Sequence, residues 1–311
     1  MMACVFSGQG AQKPGMGIDL YESDPAAREI YRTAENVLGY DLLTLDEQQL
    51  AQTRFAQPAI VAMSLSVWSA FVRQARKVPV MAFAGFSLGE YSALGAAGVL
   101  ELPDLLALVQ ERARLMQEAA ETTHGEMYAV MGPDGSVISE LLTRPPFAGK
   151  IFAVNFNSPG QTVIAGPADE MPACCRMLSA AGAGKIRKLQ VSGAFHTPLM
   201  QSAANKLKIF ARSLTFRPAE VPLYSNNSAA PLSSDMDWPE YLAQHMCQPV
   251  HWSDEVLRLG QDGCDLFLEF GPGKVLTGLI RRILPDVAAL PVENKASLDE
   301  ALLAVTGRDR S

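Results

Sequence analysis

Ser87 sits in Gly85-Phe86-Ser87-Leu88-Gly89, and its neighbours are of the types that a nucleophilic serine needs. The apolar run from Val78 to Ala84 predicts a buried strand, and the small-residue stretch from Glu90 to Val99 predicts a helix. Strand, Gly-x-Ser-x-Gly and helix make a nucleophile elbow. The serine occupies a strained turn, and the glycines two residues away let backbones pass closely. The helix that follows turns free amides and its positive dipole end toward the serine, where an oxyanion would form. An ordinary Gly/Ser turn ahead of a helix shares the five-residue pattern, so the flanking elements carry the distinction.

A serine nucleophile requires a base within hydrogen-bond reach. The chain has four histidines, His124, His196, His245 and His251. His124 lies in the polar turn Thr122-Thr123-His124-Gly125 and reads as solvated, while His245 falls in a helical pattern and reads as a packing or surface residue. His196 follows a strand-like stretch ending near Val191 and precedes a helix, where catalytic groups collect in open α/β sheets. Between Ser87 and His196 the acids Asp134, Asp169 and Glu170 fall in turns or helix starts, which capping explains. The proposal from the residues alone is therefore a Ser87–His196 dyad, its imidazole tautomer fixed by a backbone carbonyl.

Arg112 lies beside the apolar stripe of Leu108, Leu115 and Met116. It is either a surface residue paired with Glu111 or Glu118, or an inward guanidinium gripping a substrate carboxylate in a fork. Ser7-Gly8-Gln9-Gly10-Ala11-Gln12 forms a glycine-rich loop after a short strand. It is not a dinucleotide fingerprint, because position 13 is Lys13, and Gly271-Pro272-Gly273-Lys274 is not a phosphate loop, because Val275 replaces the hydroxyl residue. What remains at the first loop is a set of backbone amides free to meet a ligand.

These groups must be held by an α/β scaffold. Helical periodicity runs through Pro25 to Leu38, Gln57 to Arg73 and Leu102 to Ala120. From Thr122 the pattern changes to strand Met127–Met131, helix Gly135–Leu142, strands Ile151–Asn155 and Gln161–Ala165, helix Asp169–Ala181 and strand Ile186–Val191. That β-α-β-β-α-β order is ferredoxin-like. The fold class expected is α/β, with a large subdomain over 1–122 and 194–311 and a small ferredoxin-like subdomain inserted over 123–193. Strand Leu266–Phe270, a helix from Lys274 to Leu284 and a helical tail from Leu298 close the chain.

The 311 residues are 48% hydrophobic and 19% charged, with a net charge of −7. The lack of a basic tract argues against nucleic-acid binding. No apolar run reaches roughly 18 residues, so no membrane span is expected, and without a signal-peptide pattern the expected location is cytoplasmic. Cys4, Cys174, Cys175, Cys247 and Cys264 show no metal-ligand spacing and read as reduced thiols.

Six motifs occur in an order that resembles the malonyl-CoA:acyl carrier protein transacylases of fatty-acid synthesis: Gly8-Gln9-Gly10-Ala11-Gln12, Gly85-Phe86-Ser87-Leu88-Gly89-Glu90, Arg112 with Met116-Gln117, Asn157-Ser158-Pro159-Gly160-Gln161, Gly193-Ala194-Phe195-His196, and Gly271-Pro272-Gly273-Lys274. The resemblance covers nearly the whole chain. It implies a hydrolase-like large subdomain, attack of Ser87 on a malonyl thioester, and ping-pong transfer to the phosphopantetheine thiol of an acyl carrier protein, with His196 as base and then acid. It further implies an oxyanion hole from the Gln9 and Leu88 amides, a malonyl carboxylate on Arg112, an orienting carbonyl at His251, and malonyl selectivity from Phe195. No metal or bound cofactor is expected beyond the CoA thioester and the phosphopantetheine arm, and a monomer is expected. Lys185, Arg187 and Lys188, or Arg281 and Arg282, are candidate basic groups for docking an acidic carrier protein, or equally solvated faces. Phe86 stands where the family usually has histidine, and His251 where it has glutamine or another polar residue. A polyketide or malonate-decarboxylase acyltransferase, or a thioesterase, would share much of this chemistry.

Overall fold

The computed structural model describes residues 1–75, 78–191 and 193–308, and among these it contains two four-stranded sheets. The first is built from β1 (Met2–Phe6), β2 (Val80–Gly85), β7 (Leu266–Phe270) and β8 (Ala288–Val292) in the order β2-β1-β7-β8, all parallel. β1 and β7 are buried along their full lengths, as strands covered on both faces must be. The second sheet is formed by β3 (Gly125–Met131), β4 (Phe152–Ser158), β5 (Gln161–Pro167) and β6 (Ile186–Lys188), antiparallel in the order β4-β5-β3-β6. With the helices Gly135–Leu142 and Met171–Ala180, this is the ferredoxin-like arrangement. The strand expected over Ile186–Val191 pairs only from Ile186 to Lys188, being an edge strand that leaves β3 after three residues. Ser192, in the stretch leading to His196, lies outside the described residues.

Two connections beyond the named strands matter for the site. Pro222–Tyr224 runs beside β2, with the Phe83 amide donating to the Pro222 carbonyl (2.8 Å) and the Tyr224 amide to the Phe83 carbonyl (2.9 Å). The register delivers Asn226 to the C-terminal end of β2. On the other side, Val250 pairs with β4 through Val250 N to Val154 O (2.8 Å) and Phe156 N to Val250 O (2.9 Å), so the small sheet is stitched to the segment after helix Trp238–Cys247.

Helix Thr53–Ala75 packs against helix Leu102–Thr123. It is long and apolar enough to cross a membrane by length and composition, which differs from the expectation that no such run exists. The 18-residue apolar window is 78% buried, because the helix lies against β7 and six neighbouring helices and has almost no polar face to keep. Phe6, Trp68, Phe71, Phe83 and Phe270 form edge-to-face contacts at that junction, with centroids 5.1–6.3 Å apart.

Candidate active site

Ser87 lies between β2 and helix Gly89–Ala96, at φ 51°, a left-handed conformation that costs a non-glycine residue energy. The flanking glycines are steric requirements: a Cβ on Gly85 would sit 2.0 Å from the Gly89 carbonyl carbon, and one on Gly89 would sit 2.0 Å from the Phe6 carbonyl oxygen. The turn is held from below by Asn226, whose Oδ1 accepts from the Ser87 amide (2.7 Å) and whose Nδ2 donates to the Gly85 carbonyl (2.7 Å).

His196 is buried and also has positive φ, 60°. Its Nε2 is 2.7 Å from Ser87 Oγ, and its Nδ1 faces the carbonyls of Gln248 (3.0 Å) and His245 (3.1 Å). A carbonyl can only accept, so Nδ1 carries the proton and the Nε2 lone pair faces the serine hydroxyl. Burial, with the nearby Arg112 charge, pushes the imidazole pKa down to about 4. The imidazole is therefore neutral across the physiological range.

The orienting carbonyl expected at His251 belongs instead to Gln248 and His245. These residues occupy the cap and last turn of helix Trp238–Cys247, where carbonyls have no intrahelical partner and are free to accept. His251 has a different place: its amide donates to the Asn226 carbonyl (2.8 Å) and its ring stacks on Phe156 at 5.0 Å. His245 is fully buried, not at the surface, and His124 is an exposed helix cap, as read from its turn.

Ser87, His196, Gln9, Leu88, Arg112 and Phe195 all line one cavity of about 270 Å³. The Gln9 and Leu88 amides donate to no other group among the described residues, and Leu88 opens helix Gly89–Ala96 with no side-chain cap. Both amides are thus available to an anion beside Ser87.

Arg112 points inward from helix Leu102–Thr123 and is fully buried. Nη1 donates to Gln57 Oε1 (2.7 Å), and the guanidinium lies 4.8 Å from the centroid of the Tyr91 ring. Nε and Nη2 are buried with no hydrogen-bond partner among the described residues. Burial lowers its pKa from the ordinary arginine value, though the Tyr91 and Glu90 oxygens oppose this; the guanidinium stays charged. An unpaired buried cation is costly, and the vacant Nε–Nη2 edge has the geometry that takes a carboxylate in two parallel bonds.

The wall opposite Ser87 comes from the small sheet. Asn155, Asn157 and Gln161 line the cavity, each with a buried carbonyl oxygen that lacks a partner among the described residues. From the chain alone, Asn157 and Gln161 stood out only as part of a motif and Asn155 not at all. Glu269 in β7 also lines the cavity. It accepts from Ser7 Oγ (3.3 Å), the Leu276 amide (3.0 Å) and the Thr277 amide and hydroxyl (2.6 Å each), which ties the Gln9 loop to the start of helix Val275–Ile283. Phe86 meets Trp252 edge-on at 5.7 Å, so an apolar contact occupies this position. Among the basic groups, Lys188 pairs with Glu126 and Arg281 donates to the Ala289 carbonyl (2.7 Å).

Residues 3–298 match a family model described as an acyl transferase domain. A Haemophilus influenzae protein named malonyl CoA-acyl carrier protein transacylase is 36% identical over 301 residues, 96% of each chain. The crystal structure of MCAT from Streptococcus pneumoniae superposes with a TM-score of 0.92 at 37% identity, over 98% of this chain and 100% of that one. A malonyl-transacylase solved in complex with a type II polyketide acyl-carrier protein, PlMCAT:AntF, gives 0.91 at 36% identity, over 97% and 99%.

Proposed function

The chain belongs to the acyl transferase domain family, and from that premise we propose that it moves a malonyl group from malonyl-CoA to the phosphopantetheine thiol of an acyl carrier protein through an ester on Ser87. This is the activity of a malonyl-CoA:acyl carrier protein S-malonyltransferase, which supplies extender units for fatty acid biosynthesis. The enzyme works as a monomer in the cytoplasm, with 1–122 and 194–311 as the catalytic unit and 123–193 as the small one.

The observation that carries the assignment is the fully buried Arg112, with Nε and Nη2 unpartnered, in the same cavity as the Ser87–His196 pair. A neutral acyl group would leave that cation uncompensated. Malonyl brings one carboxylate at the far end of its chain from the thioester, so one molecule fills both places.

In the first half-reaction the Ser87 hydroxyl gives its proton to His196 Nε2 as Oγ attacks the thioester carbonyl. The tetrahedral oxyanion is held by the Gln9 and Leu88 amides. Collapse expels the CoA thiolate, which takes the proton back from His196 and leaves malonyl-Ser87. In the second half the carrier thiol gives its proton to His196, its sulfur attacks the ester, and Ser87 Oγ leaves with that proton. Arg112 holds the malonyl carboxylate throughout, and the Phe195 ring limits the room for a branch at C2. Lys185, Arg187 and Lys188, or Arg281 and Arg282, would supply positive charge for an acidic carrier.

Intact-mass measurement tests this. Malonyl-CoA should add one malonyl group, mapped to Ser87, and holo acyl carrier protein should remove it and become malonylated. Release as free malonate with no thioester product would make the chain a thioesterase and refute the assignment.

A further inference from the structure

Among the described residues no carboxylate contacts His196, yet both members of the pair are tied to each other by a second route. The Ser87 amide donates to Asn226 Oδ1 (2.7 Å). His245 Nε2 lies 3.3 Å from the same oxygen. The His245 carbonyl accepts from His196 Nδ1 (3.1 Å), and His196 Nε2 returns to Ser87 Oγ (2.7 Å). We propose that Asn226 and His245 are positioning residues that close this ring of hydrogen bonds and hold nucleophile and base at their working separation, in place of a third triad member.

The polarity of every link is determined by its neighbours. Asn226 meets an N–H at Ser87 and a carbonyl at Gly85, so its oxygen must face the former and its nitrogen the latter. Asn226 Nδ2 also donates to Glu255 Oε2 (2.8 Å), and the Asn226 amide donates to Glu90 Oε2 (3.0 Å). Asparagine carries both donor and acceptor on one short planar group, which the turn needs; an aspartate would set oxygen against the Gly85 carbonyl and the Glu255 carboxyl. His245 faces an acceptor at Nε2, so Nε2 carries its proton. Its ring lies edge-on to His196 at 5.6 Å and is stacked on Tyr241 at 6.2 Å. Asn226 and His245 are fully buried, where such bonds are strong and costly to lose. The ring also explains how two residues with positive φ, Ser87 and His196, keep their strained conformations while facing each other.

The inference rests on Ser87 and His196 acting as nucleophile and base, and its test is independent of the acyl group. A fluorophosphonate reacts with an activated serine and needs neither malonyl nor Arg112. Its rate constant on Ser87 is compared for wild type, His245→Gln and His245→Phe. Glutamine offers a donor near the Nε2 position, whereas phenylalanine keeps only the ring. Loss of one buried hydrogen bond should slow labelling by about tenfold in His245→Phe, with His245→Gln within about threefold of wild type. A purely packing role would make phenylalanine the better replacement and would lower the labelled fraction, not the rate constant; either result overturns the proposal. Asn226→Ala combined with His245→Phe should be no slower than Asn226→Ala alone, because both cut one ring. Fully multiplicative losses would refute a shared ring. Malonyl transfer by the same variants should lose kcat with the malonyl-CoA KM unchanged. Absence of malonyl transfer in a wild type that labels normally would count against the function and leave the ring standing.

Discussion

Replacing Arg112 by methionine or alanine separates malonyl recognition from acyl transfer. The free Nε–Nη2 edge would make two charge-assisted hydrogen bonds to the malonyl carboxylate, each worth about 2 kcal/mol. Losing both removes about 4 kcal/mol, or about 10³-fold in kcat/KM for malonyl-CoA at about 1.4 kcal/mol per decade. Acetyl-CoA has no carboxylate to lose, so its loading should stay within about threefold of wild type, and the preference between the two thioesters should collapse by the same 10³. Stability should not follow activity. In the free enzyme Arg112 is fully buried, and among the described residues its hydrogen-bond partner is Gln57 and its guanidinium lies over the Tyr91 ring, so methionine removes a desolvated charge and should leave the melting temperature equal or higher. Intact-mass time courses with each thioester, alongside thermal melts, measure all three quantities. A malonyl loss below tenfold, or equal losses for malonyl and acetyl, would show that the guanidinium does not hold the carboxylate.

The acid limb of malonyl loading should have its midpoint near pH 4, where His196 titrates, and not near the ordinary histidine value; stopped reactions from pH 3.5 to 8 would show it, and a midpoint near 6.5 would refute a buried neutral base. The same depressed pKa fixes the sign for stability: the contribution is complete above about 6.5 and is lost as pH falls toward about 4, because the unfolded chain takes up a proton that the fold refuses. Phe195→Ser should raise the methylmalonyl-to-malonyl ratio by about tenfold or more, the scale of one methyl group in a pocket; an unchanged ratio in competition assays would clear Phe195 of a selective role. Gly89→Ala should destabilise by about 3 kcal/mol in urea melts, since its Cβ would collide with the Phe6 backbone and not with a movable side chain; a shift under about 0.5 kcal/mol would mean the elbow relaxes freely.

The parts of the site that the chain declares are those with a local pattern. Gly85 to Gly89 is legible because steric need dictates residue type at fixed spacing, and helix Pro25–Leu38 emerges with its bounds because Asp24 caps it and Gly39 ends it in the left-handed region. Arg112 could be placed on a helix beside an apolar stripe, but whether it turned inward depended on Gln57 and Tyr91, which come from other elements. β8 carries no strand signal in sequence because Ala288-Ala289-Leu290-Pro291-Val292 contains a proline, tolerated there as an edge strand of the sheet. The carbonyl that orients His196 is not at His251 for a simpler reason: every residue has a carbonyl, and only the end of helix Trp238–Cys247 determines which ones are free. Asn226 carried no signal at all. Its partners lie 19 to 141 residues away, and an isolated asparagine in Ser225-Asn226-Asn227-Ser228 reads as a turn.

That helix end also accounts for how a histidine without a carboxylate partner could serve as base. Attack by Ser87 would separate charge, with an oxyanion at the Gln9 and Leu88 amides and an imidazolium at His196. The first pole lies at the N-terminus of helix Gly89–Ala96, and the second lies against the C-terminal carbonyls of helix Trp238–Cys247. Helix dipoles favour negative charge at the one end and positive charge at the other. Burial keeps the resting imidazole neutral, so the carbonyls need not create a strong base. They need only stabilise an imidazolium for the life of the tetrahedral intermediate. A buried aspartate at Nδ1 would stabilise it more, but would also raise the resting pKa and place an anion near Arg112, the cation that on the proposed function must stay available for the malonyl carboxylate. With Arg112 fully buried in the same pocket, a neutral carbonyl is the partner that orients the base without competing for the cation.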